Sequence, residues 1–164
     1  MRRKLLPAFL AGMLFAGCAL APARDEPPDP TARRAAGYAL DMLGKPYRYG
    51  GTTPRGFDCS GLVQYSYGRA GLKVPRDTDG QRKLSRPVAT HALAQGDLLF
   101  FNQDGRRSAH VAVYLGDDRF VHAPSSGKQV RKDSLTDPYW RKHLDEARRF
   151  PARPERTRAD HRAL

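Results

Sequence analysis

Three side chains in this 164-residue sequence have the chemistry of nucleophilic catalysis: the thiol of Cys59 and the imidazoles of His110 and His122. A cysteine attacks as thiolate, and the first turn of a helix favours that form through its partial positive charge and free N–H groups. Asp58-Cys59-Ser60-Gly61 opens such a turn, with Asp58 as N-cap and Leu62, Val63, Ser66, Tyr67 and Ala70 on one helical face. The expectation is a depressed thiol pKa at Cys59, with N–H groups of the same helix start positioned for an oxyanion. Gly71 marks the stop of this helix.

A thiolate also needs a base. His110 opens the strand-like run HVAVYL, and His122 lies in RFVHA, joined to it by a tight turn at Gly116, Asp117 and Asp118. Across such a hairpin the ring of His122 can hydrogen-bond that of His110 and fix its tautomer, the task of Asp or Asn in other triads. His91 and His143 read as surface residues. A zinc site would want a close pair such as C-x₂-C or H-x₃-H, which the sequence lacks, so no metal or cofactor is expected.

The elements that must position these groups follow from periodicity and breakers. Asp29 or Thr31 caps a first helix carrying Ala35, Ala36, Ala39, Leu40 and Leu43, stopped by Gly44 and Pro46. The glycine- and proline-rich stretch from Tyr47 to Phe57 reads as a loop that delivers the chain to Cys59. Pro75 to Leu84 is a short helix, Leu98 to Phe101 a buried strand, and Gln129 to Arg131 a further strand after the turn Ser125, Ser126, Gly127. Helices first and antiparallel strands second predict an α+β domain, its N-terminal helices packed on one face of a small antiparallel sheet.

Hydrophobic residues at 40% and charged residues at 28% describe one globular domain, not a disordered chain. The net charge of +12 suits an acidic polymer or an anionic surface. No nucleic-acid partner is expected, because the basic residues form no recognition helix with interleaved aromatics. Met1 to Gly17 has the order of an export signal: basic Arg2, Arg3 and Lys4, an apolar stretch to Phe15, then small residues. Leu14 to Cys18 resembles the lipobox of bacterial lipoproteins, which implies an acylated Cys18 as the mature N-terminus. Cys59 is then the remaining free thiol. The expected divisions are a signal peptide at 1–17, a lipidated N-terminus with a proline-rich linker at 18–30, a catalytic domain at 31–150 and a basic disordered tail at 151–164.

The stretches PYRYGG, FDCSGLVQ, GDLLFF, AHVAVYLG and FVHA resemble, in order, the motifs of the NlpC family of cell-wall cysteine peptidases. The segment DPYWRKHLDEARRF is similar to the end of that family's lipoprotein murein DD-endopeptidases. The resemblance implies a papain-like fold with Cys59 as nucleophile, His110 as base and His122 as the third polar residue. It also implies that Tyr47 lines the oxyanion region and that Asp58 and Ser60 contact substrate. Ala109 and the strand VAVY depart from the usual motif without removing a functional group. The implied activity is hydrolysis of peptidoglycan stem peptides through a thioester, at the D-alanyl to meso-diaminopimelyl cross-link, with the D-glutamyl to diaminopimelyl bond as the alternative. A non-catalytic peptidoglycan-binding lipoprotein and an acyltransferase are the competing classes. A monomer tethered by lipid to the periplasmic face of the outer membrane is expected, with peptidoglycan as partner and any adaptor protein unspecified.

Overall fold

The structure, a computed structural model, describes residues 29–103, 105–125 and 128–152. The expected signal peptide, Cys18, nearly all of the linker, Ser126 and Gly127 of the expected turn, and the tail from residue 153 lie outside the described residues.

The first helix, α1 (Pro30–Leu40), starts where Asp29 accepts the Thr31 N–H at 2.9 Å. Its buried Ala32, Ala35, Ala36 and Ala39 offer a face of small side chains on which α2 (Cys59–Arg69) packs. Between them, the segment read as a loop contains a two-residue hairpin, β1 (Thr52–Thr53) with β2 (Gly56–Phe57). Gly56 makes this turn possible: its φ is +153°, and a Cβ there would strike the Arg48 side chain. The short third helix, α3 (Thr78–Leu84), begins later than the expected Pro75 because Asp77 caps it, accepting the Gly80 N–H at 2.8 Å.

Among the described residues, six antiparallel strands form the main sheet: β3 (Arg86–Val88), β4 (Leu98–Gln103), β5 (Arg106–Gly116), β6 (Arg119–His122), β7 (Arg131–Ser134) and β8 (Leu144–Arg149). Their order is β3-β8-β4-β5-β6-β7. Asp117 and Asp118 both adopt positive φ, 50° and 56°, which matches the twist of the β5–β6 hairpin.

The apolar run of β4 has no polar face because the sheet buries both of its faces. Leu98 and Phe100 join Val111, Val113 and Val121 against α1 and α2. Leu99 and Phe101 join Ala112, Tyr114 and Phe120 on the opposite side, under Trp140 of α4 (Pro138–His143). The sheet is therefore larger than expected and is covered on its second face as well.

Two strand expectations shift. Gln129 forms only an isolated bridge with Pro46, and the regular strand runs from Arg131 to Ser134. The segment LDEARR, read only as part of a family tail, is β8, inserted between β3 and β4. It buries few apolar atoms and hides its charges by pairing: Arg149 Nε lies 2.6 Å from Asp97 Oδ1, and Arg148 Nη1 lies 2.7 Å from Glu146 Oε2. Paired charges let a polar strand occupy an interior position in a sheet.

Candidate active site

Cys59 is the first residue of α2, half-buried and without a disulfide. Asp58 holds that helix start in place. Its Oδ1 accepts the Gly61 N–H at 2.7 Å, and its Oδ2 accepts the Gly50 N–H at 2.9 Å and Arg76 Nη2 at 2.5 Å. Arg76 Nη1 in turn donates to Ser60 Oγ at 2.8 Å. Asp58 and Ser60, expected to contact substrate, thus engage their polar atoms within the chain, tying the 46–51 loop, the helix start and Arg76 together. Arg76 was not singled out in the sequence, since an arginine between two helices carries no local signature.

Gly61 sits where the loop crosses the helix, and a Cβ there would overlap the Gly51 carbonyl oxygen. A Gly61→Ala variant is therefore expected to lose about 1–3 kcal/mol of stability. Urea unfolding would measure the loss, accompanied by faster alkylation of Cys59 as the loop is pushed from the helix start.

The environment of the thiol differs from the expectation of a depressed pKa. Burial pushes the Cys59 thiol up, and the Asp58 charge adds to this, while the N–H groups of Val111, Ser60 and Cys59 itself pull it down. The Val111 contact places the sulfur beside the residue that follows His110. Tyr47 is also nearby: burial, then the charges of Cys59 and Asp58, raise its hydroxyl above the usual range, so it stays a neutral O–H donor. Its backbone is pinned by a hydrogen bond from its N–H to the Lys128 carbonyl at 2.7 Å.

His110 and His122 meet directly, with His110 Nε2 2.8 Å from His122 Nδ1. The other nitrogen of His122, Nε2, lies 2.9 Å from Asp133 Oδ2. Asp133 also accepts from Arg131 Nε at 3.0 Å and Nη2 at 2.8 Å. The tautomers follow from valence. A carboxylate only accepts, so Nε2 of His122 carries its proton and Nδ1 is bare; His110 Nε2 must then donate, which leaves His110 Nδ1 as a free acceptor.

Asp133 was missed because the strand was expected to end at Arg131. In the observed register His122 faces Arg131 and Phe120 faces Asp133, so Asp133 is a same-face diagonal neighbour of His122. Extending that strand by two residues would have revealed it. Trp140 was missed as well: its ring stands 4.9 Å from that of His122 and 6.0 Å from that of His110, centroid to centroid.

This aromatic enclosure explains the basicity of the pair. Burial pushes His110 down to about 3, with His122 adding to the shift. Burial also pushes His122 down to about 4, against the opposing pull of Asp133. Both rings are consequently neutral at ordinary pH. In the unfolded chain they take protons near 6.5. Stability is thus fully present above about 6.5 and falls as the pH drops toward 4, by up to about 1.4 kcal/mol per pH unit for each ring. Urea midpoints measured between pH 7 and 4.5 should decline in the wild type and decline less steeply in His110→Ala.

A helix-start thiol beside a buried histidine pair on an antiparallel sheet is the arrangement of a papain-like α+β domain. The chain belongs to the NlpC/P60 family, whose model matches residues 44–149. It is 42% identical over 115 residues to murein DD-endopeptidase MepH of Escherichia coli K12, covering 67% of this chain and 42% of MepH. It is 36% identical over 152 residues to the probable endopeptidase NlpC of the same organism, covering 86% of this chain and 96% of that protein. The crystal structure of an NlpC/P60 family protein from Bacillus cereus aligns with a TM-score of 0.68 at 35% identity, covering 77% of this chain and 42% of that one. The chain spans about half the length of MepH and of similar relatives.

Proposed function

We propose that this protein is a cysteine endopeptidase that hydrolyses peptidoglycan stem-peptide cross-links, at the bond between D-alanine and meso-diaminopimelate. The observation that carries this reading is the hydrogen-bonded series Asp133, His122, His110, which leaves His110 Nδ1 bare next to the strand position that contacts Cys59. The name of MepH as a murein DD-endopeptidase supports the choice of bond.

The raised thiol and lowered imidazole pKa values describe a neutral resting pair rather than a preformed ion pair. His110 Nδ1 takes the thiol proton as Cys59 Sγ attacks the scissile carbonyl carbon. The carbonyl π electrons move to oxygen, and the helix-start N–H of Cys59 and the Tyr47 hydroxyl stabilise the oxyanion. As the tetrahedral centre collapses, the C–N bond breaks and Nδ1–H protonates the departing amine, leaving a thioester on Cys59. Water then gives a proton to Nδ1 and adds to the thioester carbonyl. On collapse the C–S bond breaks, Nδ1–H returns its proton to Sγ to restore the thiol, and the released carboxylic acid gives its proton to solvent. Asp58, Ser60 and Arg76 position the helix start throughout.

Acylation of Cys18 and a linker of about a dozen residues would place this domain at the periplasmic face of the outer membrane, within reach of the wall. Its basic surface complements the carboxylates of the stem peptides. Radiolabelled palmitate incorporation that survives in Cys59→Ala but not in Cys18→Ala would support the anchor.

The testing experiment incubates the protein with purified muropeptide dimers and reads the products by mass. Conversion of dimer to intact monomers supports the cross-link reading. Shortened stems place cleavage at the D-glutamyl to diaminopimelyl bond. Unchanged dimer with a folded protein leaves peptidoglycan binding without turnover, and product formed only with an added amine points to acyl transfer.

A further inference from the structure

A cavity of about 320 Å³ opens beside the histidine pair, lined by Gln103, Lys128, Arg131, Asp137, Tyr139 and Trp140 among others. Its size falls at the lower end of ligand cavities, about 300–1,000 Å³, room for one amino-acid unit rather than a glycan chain. Two walls are shared with the catalytic series. Trp140 packs on both histidine rings, and Arg131 holds Asp133, the acceptor of His122.

The cavity therefore lies on the histidine side of the site. His110 must protonate the departing nitrogen, so the half of the substrate that leaves as an amine lies on this side too. The lining carries two cations against one carboxylate, Asp137, whose Oδ1 already accepts the Tyr139 N–H at 2.7 Å. Arg131 gives Asp133 only its Nε and Nη2, so further N–H donors remain. The Lys128 ammonium has no ion pair among the described residues.

We propose that this cavity is the subsite for the free carboxylate next to the departing amine, with Lys128 and Arg131 as its cationic partners. This rests on the endopeptidase reading above. At a D-alanyl to diaminopimelyl bond, the carbon bearing the departing nitrogen also bears a free carboxylate. Its charge distinguishes a cross-link with free diaminopimelate from one in which that carboxylate is amidated. Recognition by Lys128 and Arg131 makes the protein selective for the free form.

Two measurements test this. In the first, wild type and Lys128→Met hydrolyse muropeptide dimers whose diaminopimelate carboxylate is either free or amidated. The wild type should favour the free form by about tenfold in kcat/KM, the effect of roughly 1.4 kcal/mol. Lys128→Met should lose most of that preference through KM. Equal rates on both dimers in the wild type, or an unchanged preference in the variant, overturn the proposal.

The second does not need turnover. Trp140 is the only tryptophan in the chain, so its fluorescence reports on the cavity directly. Titration of Cys59→Ala with the free dimer should change that emission, with affinity about tenfold weaker for the amidated dimer and in the Cys59→Ala, Lys128→Met double variant. If wild type hydrolyses neither dimer yet the titration separates free from amidated, the cavity stands and the cross-link reading fails. A titration blind to amidation sinks the subsite whatever the hydrolysis shows.

Discussion

Replacing Cys59 with alanine is expected to lower turnover of a cross-linked muropeptide dimer by at least about 10⁴-fold, with little change in the affinity for that dimer. The thiol supplies the bond-forming electron pair, and no other described nucleophile starts α2. His110→Ala should approach the same rate, because a half-buried thiol whose pKa is raised gives little thiolate without a base. The double variant should then be no slower than either single one, the mark of two groups acting as a unit. Mass analysis of dimer digests gives kcat, and Trp140 fluorescence gives binding. A Cys59→Ala protein that still cleaves at a tenth of the wild-type rate would remove the nucleophile from the mechanism.

The second large effect belongs to Asp133, which touches neither the thiol nor the bond to be cleaved. Without its carboxylate, nothing compels His122 Nε2 to carry the proton. His122 can then adopt the other tautomer, and His110 must follow by placing its own proton on Nδ1, where a bare nitrogen is required. Asp133→Ala is expected to lower kcat by about 10²-fold with KM nearly unchanged, less than the roughly 10⁴-fold known for a triad locked in the wrong tautomer. Asp133 is part-exposed, so water can substitute for some of its acceptor strength. Asp133→Asn should recover part of the rate, because Arg131 Nε and Nη2 donate at the same oxygen position as His122 Nε2 and so hold the amide oxygen, rather than its NH₂, toward the ring. Nitrogen-15 NMR of labelled histidines would follow the tautomers directly, and unchanged His110 tautomers in Asp133→Ala would refute this role. The acid limb of the pH profile is a further readout. Because burial lowers both rings, activity should persist well below pH 6.5 in the wild type.

The parts of this site legible in the sequence share one property: their signal is local. Asp58 followed by an apolar helical face announces a capped helix start, and the cap is there at Gly61. The hairpin around Asp117 and Asp118 announces the pairing of the two histidine strands. The family resemblance added the order of the motifs and the papain-like class. What escaped was set by long-range packing. Asp133 acts through a strand whose register is decided by β6, and Trp140 through a six-residue helix that seals the second face of the sheet. The thiol pKa escaped for the same reason. A helix start favours thiolate, but burial against the strand after His110 outweighs it. The strand β8 was hidden because its charges, unremarkable in sequence, find Asp97, Glu146 and Ser85 only once the sheet is assembled.

That last strand also governs when the molecule can come into being. Strand β4 lies between β5 and β8, and among the described residues β3 pairs in the sheet with β8 alone. A chain synthesised only as far as residue 143 would leave β4 with one row of backbone groups unpaired and β3 with none paired. The lone-edged intermediate would be sticky and short-lived, and the entropy of closing loops between β3, β4 and a strand about 50 residues later must be met all at once. Completion of the sheet is thus a late event in the life of the chain, because β3 and the outer row of β4 find their partner only when residues 144–149 are in place.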